Sequence, residues 1–116
     1  FLGLHLPATD IPVQARRLYT LNWIRHIADV GYAPVPILSA GPLPGGALDL
    51  SHAFLRSVSP IHIEYLQNMG VGASLSISLL HEGRLWGLVA CHHEEPRHVP
   101  YETLMACEFL GQLFSV

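Results

Sequence analysis

The chain has 116 residues, half of them apolar, with nine acidic and six basic side chains and a formal net charge of −3. That length is room for one domain, the apolar fraction excludes a disordered tail, and the acidic balance argues against nucleic acid as the main partner. No uninterrupted apolar run reaches the roughly 20 residues of a membrane helix, so no membrane partner is expected.

Phe1 to Pro7 reads as a short strand. Ile11-Pro12 starts a helix that runs to about Asn22, because Pro suits the first turn and Asp10 can supply a capping oxygen. Ile24 to Val30 reads as a strand. Residues 31–50 contain four Gly and four Pro; a structureless loop of that length is uncommon unless it is functional or wraps another segment. Ser59-Pro60 opens the next helix, with Ser59 as the cap, and Gly70 closes it after Met69. His62, Tyr65 and Met69 share one face of that helix.

Ala73 to Leu80 and Leu85 to His92 form a hairpin around His81-Glu82-Gly83. A three-residue loop with Gly last suits a type I turn and G1 bulge. Partners then sum to 164, which sets Ser74, Ser76, Ser78, Trp86, Leu88, Ala90 and His92 on one face. Leu75, Ile77, Leu79, Leu85, Val89 and Cys91 share the other face, a dry core surface. A two-residue loop would separate His92 from the serines. Pro100 precedes a final helix over Tyr101 to Val116 with two apolar stripes. Leu104, Cys107, Gly111 and Phe114 can dock on the sheet, which leaves Met105, Phe109, Leu113 and Val116 for a partner.

All six basic side chains are Arg. Arg pairs bidentately with carboxylates and phosphates and tolerates burial, so the set suits internal charges that hold an anion; it equally suits a coding bias. The eight His do not make a metal site. His92 and His93 are strand neighbours and point to opposite faces, and no HExxH or CxxC occurs. There is no GxSxG elbow for a hydrolase, and Gly70-Val71-Gly72 is too short for a dinucleotide loop. Taken alone, His62 reads as a core histidine and Asp10 as a helix cap. Cys91 and Cys107 make no disulfide framework and read as buried thiols in a reducing cytoplasm. No basic leader opens the chain, and the absence of an initiator Met suggests a start inside a longer protein.

Three segments carry a resemblance. Phe1-Leu2-Gly3-Leu4-His5-Leu6-Pro7-Ala8-Thr9-Asp10-Ile11-Pro12 is similar to the PASDIP region of phytochromes. Leu55 to Val71, with Arg56-Ser57-Val58-Ser59-Pro60-Ile61-His62, resembles their second chromophore-contacting segment, and Leu85 to His93 the third. Together they span nearly the whole chain, which resembles the C-terminal two-thirds of a phytochrome GAF domain. The resemblance implies an α+β GAF fold, incomplete at its N-terminal side. An antiparallel sheet would carry helices on one face and a bilin pocket on the other. It also implies that residues 31–50 are a lasso around the N-terminal segment of the same protein.

By that resemblance the ligand is a linear tetrapyrrole. Asp10 would offer its backbone carbonyl to the pyrrole nitrogens through a water, and its side chain would serve signalling. His62 would support the protonated bilin near that water. Arg25 and Arg56 would pair with the propionates, helped by Tyr19, Ser59, Ser74 and Ser76. His92 would contact the D-ring carbonyl, Tyr65 and Met69 would line the D-ring cavity, and Ile11 and Pro12 would pack on the bilin plane. Ile61 stands where plant-type members have their attachment Cys, so the chain resembles a bacteriophytochrome. Those attach biliverdin at a Cys upstream of the residues given.

The family implies red/far-red sensing by D-ring isomerisation, passed to an output module outside the chain, usually a histidine kinase. The chain itself carries no ATP-binding or phosphotransfer chemistry and is not expected to be an enzyme. Implied partners are the N-terminal PAS segment, the remaining GAF strands, downstream PHY and output domains, and a second copy through the last helix. Leu6 stands in place of an aromatic ring, Thr9 in place of Ser, and Gly72 where a basic residue is common. Three rival readings stand beside this one. They are a GAF module for another small ligand such as a cyclic nucleotide, a pigment-free dimerisation module, and an engineered near-infrared fluorescent derivative.

Overall fold

A computed structural model describes every residue except 1, 2, 4, 6, 47 and 116. Its elements in chain order are a 3-10 turn over Ala8–Asp10, helix α1 (Val13–Leu21), strand β1 (Ile24–Ile27), a 3-10 turn over Pro44–Gly46, helix α2 (Pro60–Asn68), strands β2 (Ala73–His81) and β3 (Arg84–His93), and helix α3 (Tyr101–Phe114). The strands make one antiparallel sheet in the order β1-β2-β3. Among the described residues, no helix is long and apolar enough to cross a membrane.

The helix ends follow local chemistry in part. Pro60 occupies the first turn of α2 behind Ser59 as cap residue, although no side chain bonds the helix start. At the other end Gly70 takes φ +70°, a conformation that favours glycine. The Gly70 N–H donates to the Gln67 carbonyl at 2.9 Å and the Val71 N–H to Leu66 at 3.0 Å. This is a Schellman closure, and its usual apolar contact is present because Leu66 and Val71 share one buried cluster. At α1 the expectation is corrected. Asp10 ends the 3-10 turn and does not cap; Pro12 is itself the cap residue, and its carbonyl accepts the first helical bond, from Arg16 at 3.0 Å.

The expected strand over residues 1–7 lies partly outside the described residues. Of the others there, Gly3 is in a turn and His5 and Pro7 are in neither helix nor strand. β1 is shorter than its apolar run. Beyond Ile27 the backbone turns to other partners: the Ala28 carbonyl accepts from Arg97 N–H at 2.7 Å, and the Val30 N–H donates to Gly72 at 2.8 Å.

The hairpin corrects the turn and keeps the faces from Leu79 and Gly87 onward; Leu85, expected on the dry face with Leu75 and Ile77, instead pairs with Leu80 on the side of the serines. Its loop is the two-residue Glu82-Gly83, both with positive φ (49° and 72°), as a type I′ turn requires. Near the turn Leu80 pairs with Leu85, but Leu79 pairs with Gly87, so Trp86 is an unpaired bulge residue. The bulge restores the even-sum register from there on: Ser74 pairs with His92, Ser76 with Ala90 and Ser78 with Leu88. Trp86, placed with the serines by sequence, is the residue the bulge removes from the alternation.

α3 packs on one face of β2. Ile24, Leu75, Ile77 and Leu104 form its core, with Trp23, Met105 and Cys107 against them. The approach is closest at Gly111, where a side chain's Cβ would lie 2.7 Å from Ile77 Cγ2. Three expectations change here. Met105 packs against this core, Phe114 is exposed, and Cys91 is exposed, since α3 lies over β2 and β1. The exposed stripe is Phe109, Leu110, Leu113 and Phe114; Val116, expected to join it, lies outside the described residues.

Candidate functional site

The opposite face of the sheet is polar and yet buried. Pleating sends Ser74, Ser76 and Ser78 to the same side of β2, and Arg25 of β1 sits directly across from Ser76. All four residues are buried. Two helices border this face. α1 lies against β2 and β3. α2 closes over Ile27 through a second buried cluster of Ile27, Val30, Leu66 and Val71, with Tyr65 and Met69 packed on it.

Ser78 is fully buried and its hydroxyl donates to the Tyr19 carbonyl at 2.8 Å, with Asn22 O at 3.3 Å. It ties the end of α1 to the sheet and brings Tyr19 to the face. Ser74 and Ser76 behave differently. Neither hydroxyl bonds a described residue, yet no buried side-chain oxygen or nitrogen among these lacks a partner. Their oxygens therefore open onto accessible space, where a ligand could reach them.

Arg25 is the centre of the face. Its Nη1 donates to the Phe54 carbonyl at 3.0 Å and its Nη2 to the Arg56 carbonyl at 2.7 Å. Arg56 is half-buried, and its own Nη1 reaches the Ala53 carbonyl at 3.2 Å. Burial holds the Arg25 guanidinium below its ordinary pKa, and the charge of Arg56 lowers it further; Tyr32 and Tyr19 oppose this. Burial also lowers Arg56. No carboxylate among the described residues neutralises either cation. Two partly desolvated guanidiniums side by side, without a counter-ion, make a site that favours an anion.

His62 stands on the α2 side of this group. Burial lowers its pKa, and the charges of Arg25 and His92 add to the effect, which favours the neutral imidazole. His92 is also lowered, by burial. The effect of Arg25 and His92 on His62 places the three in one electrostatic neighbourhood, although they come from three elements. Tyr65 stacks on His62 with ring centroids 6.1 Å apart.

Of the residues singled out from sequence, Tyr19, Arg25, Arg56, His62, Tyr65, Ser74, Ser76 and His92 thus gather on or beside one face. Met69 caps α2 within the neighbouring apolar cluster. Ser59 is exposed at the start of α2, just beyond the Arg56 turn. Asp10, Ile11 and Pro12 precede α1, and the Ile11 carbonyl accepts from Arg16 Nε at 2.9 Å. Sequence reasoning missed Tyr32, whose hydroxyl accepts the Val58 N–H at 2.8 Å, and Asn22, whose amide bonds the Ser51 carbonyl at 2.9 Å. Neither lies in a recognisable motif. The departure at Gly72 has a steric cause, since a Cβ there would strike the Glu94 carbonyl and the Glu95 backbone.

Residues 19–116 match the model of the GAF domain family. The chain is 60% identical over 117 residues to cyanobacterial phytochrome B of Nostoc sp., and 53% identical over 116 residues to a bacteriophytochrome of Pseudomonas aeruginosa. It is covered 100% and 99% in these matches but spans only 16% of either relative. Among solved structures, the chromophore-binding domain of Stigmatella aurantiaca phytochrome P1 superimposes with a TM-score of 0.90 at 57% identity, over 99% of this chain and 38% of that one. The chromophore-binding domain of an unusual bacteriophytochrome from R. palustris gives 0.89 at 49% identity, over 97% and 38%.

Proposed function

The chain belongs to the GAF domain family, in its phytochrome branch, and we propose that it is the pigment-holding part of a red/far-red photoreceptor whose ligand is biliverdin. The observation that carries this reading is the Arg25–Arg56 pair without a counter-ion, set beside the unbonded hydroxyls of Ser74 and Ser76. A linear tetrapyrrole brings two propionates, which match two cations and adjacent donors. When bound, it supplies the visible absorption and the D-ring double bond whose isomerisation is the light-driven step.

The residues then divide the work. Arg56 pairs with a propionate; Arg25, through the N–H groups it does not give to carbonyls, supports the second. Ser74, Ser76, Ser59 and Tyr19 add hydrogen bonds. Neutral His62 can accept or relay a proton from the pyrrole nitrogens, with the Asp10 carbonyl as their acceptor. His92 addresses the D-ring carbonyl, Tyr65 and Met69 shape its space, and Ile11 and Pro12 cover the bilin plane.

The covalent bond to biliverdin falls to a Cys upstream of the residues given, because neither Cys91 nor Cys107 lies on this face. The remaining partners are segments of the same protein. The unpaired edge of β3 suits the remaining GAF strands. Exposed Val35, Ile37 and Leu38 in the 31–50 loop suit a wrapped N-terminal segment. The exposed α3 stripe, Phe109 and Leu113 included, suits a second copy. A cytoplasmic histidine kinase fits as the output, downstream of a PHY domain.

Adding biliverdin to the full-length protein in the dark tests the reading. A red absorption band that red light depletes and far-red light restores is expected. Failure of a band to form, or a band unaffected by Arg56→Ala, would remove the pigment from this site; tight binding of a cyclic nucleotide instead would favour the rival ligand.

A further inference from the structure

The segment that carries Arg56 has no regular structure of its own. Between residues 51 and 56 its internal bonds are single turns: Ala53 N–H to Leu50 O at 2.9 Å and Arg56 N–H to Ala53 O at 3.3 Å. Such turns do not attach it to the sheet. Attachment comes from side chains that reach its carbonyls. Arg25 takes Phe54 and Arg56, and Asn22 takes Ser51.

Asn22 is a junction of three elements. Its Nδ2 donates to Leu18 O at 3.0 Å, within the last turn of α1, and to Ser51 O at 2.9 Å. Its own N–H closes α1 on Leu18 O, and its carbonyl faces the buried Ser78 hydroxyl of β2. Both side-chain neighbours are carbonyl oxygens, so the amide must present its nitrogen to them. Only a group with two N–H donors satisfies both acceptors at once; a carboxylate satisfies neither, and a hydroxyl one.

We propose that Asn22 is a positioning residue for the anion site: its amide hangs the 51–56 turn from the end of α1 and thereby sets where Arg56 presents its guanidinium. This rests on the biliverdin reading above. Asn22 touches no ligand in this scheme and acts through Arg56.

The test is a double-mutant cycle in the full-length protein, read as the dissociation constant of the initial non-covalent biliverdin complex, before the covalent bond forms. Asn22→Asp keeps the shape and removes both donors. It should weaken binding roughly three- to tenfold beside wild-type Arg56, in line with the loss of one positioning hydrogen bond, and change it less than about twofold in the Arg56→Ala background. Equal weakening in both backgrounds, or none in the first, overturns the proposal. Should Asn22→Asp fail to fold, Asn22→Ser enters the same cycle under the same criteria. Amide hydrogen exchange over residues 51–56 of the pigment-free protein reads the clamp without the ligand. Faster exchange in Asn22→Asp is expected, and unchanged exchange overturns the proposal. Failure of the wild type to bind biliverdin, with the turn still loosened by the substitution, overturns the pigment reading and leaves the clamp standing.

Discussion

The two faces of β2 are built from one strand and buried to a similar depth, but they solve different problems. On one, Leu75 and Ile77 meet Ile24 and Leu104 in a dry contact under α3. Removal of apolar area from water stabilises it, and nothing in that contact needs a specific partner. On the other, Ser74, Ser76, Ser78 and Arg25 are buried polar groups, which are unfavourable unless each finds a hydrogen bond. Ser78 and Arg25 find main-chain carbonyls. Ser74 and Ser76 find no such partner among the described residues, and Arg56, although it reaches the Ala53 carbonyl, has no carboxylate there to balance its charge. The apolar face therefore holds the fold, whereas the polar face keeps hydroxyls without a partner among the described residues.

The largest effect expected from this contrast is on the dry side. Leu104→Ala should destabilise the full-length protein by about 2–5 kcal/mol, seen as a lower urea midpoint, while the biliverdin affinity of the folded fraction stays near wild type. A parallel loss of affinity would mean that the faces are not independent. On the polar side Arg56→Ala should weaken biliverdin binding by about 1.5–3 kcal/mol in a spectrophotometric titration, since a charge-assisted contact is lost. Its pigment-free urea midpoint should hardly move. Replacement of Ser76 by Ala should cost about 0.5–1.5 kcal/mol of binding and leave the pigment-free stability unchanged or improved, because the hydroxyl has no partner among the described residues. A drop in pigment-free stability would show that Ser76 belongs to the protein's own network.

The pH dependence separates the faces further. Burial, Arg25 and His92 hold His62 below its ordinary pKa of about 6.5 in the folded chain. The unfolded chain therefore takes up the proton first. Stability is full above pH ~6.5 and is lost as pH falls toward and through the folded pKa. Unfolding midpoints between pH 8 and 5 should show that decline, and His62→Gln should flatten it. In the pigmented protein, His62→Ala should lower the apparent pKa of the bilin and bleach the red band at mildly alkaline pH; an unchanged titration would separate His62 from the pigment. The smallest effect on the folded monomer, within about 0.5 kcal/mol, is expected from Leu113→Glu on the exposed stripe of α3. Light scattering should then report a pigmented monomer in place of a dimer. Unfolding with pigment loss would instead make Leu113 a core position of the complete protein.

Much of this was legible without coordinates. Pro60 and Gly70 bracket α2 because one suits a helix start and the other relieves its end. Alternation of Ser with Leu and Ile over 74–79 makes one polar and one apolar face in any strand, since the side-chain period is two. The three motifs named the family. What the residues alone did not decide was set by groups far apart in the chain. The hairpin register depended on a two-residue turn plus a bulge at Trp86, whose parities cancel, so beyond the bulge the faces came out as expected while Leu85, before it, changed sides. Exposure of Cys91 and partial burial of Met105 depended on which strands α3 covers and how it rolls onto Ile77 at Gly111. The clamps of Asn22 on Ser51, Arg25 on Phe54 and Arg56, and Tyr32 on Val58 join side chains to main-chain groups about 30 residues away. Every residue has the same carbonyl and nearly every one the same N–H, so the partner's identity leaves no trace in the sequence, and only the folded chain selects which of them is near.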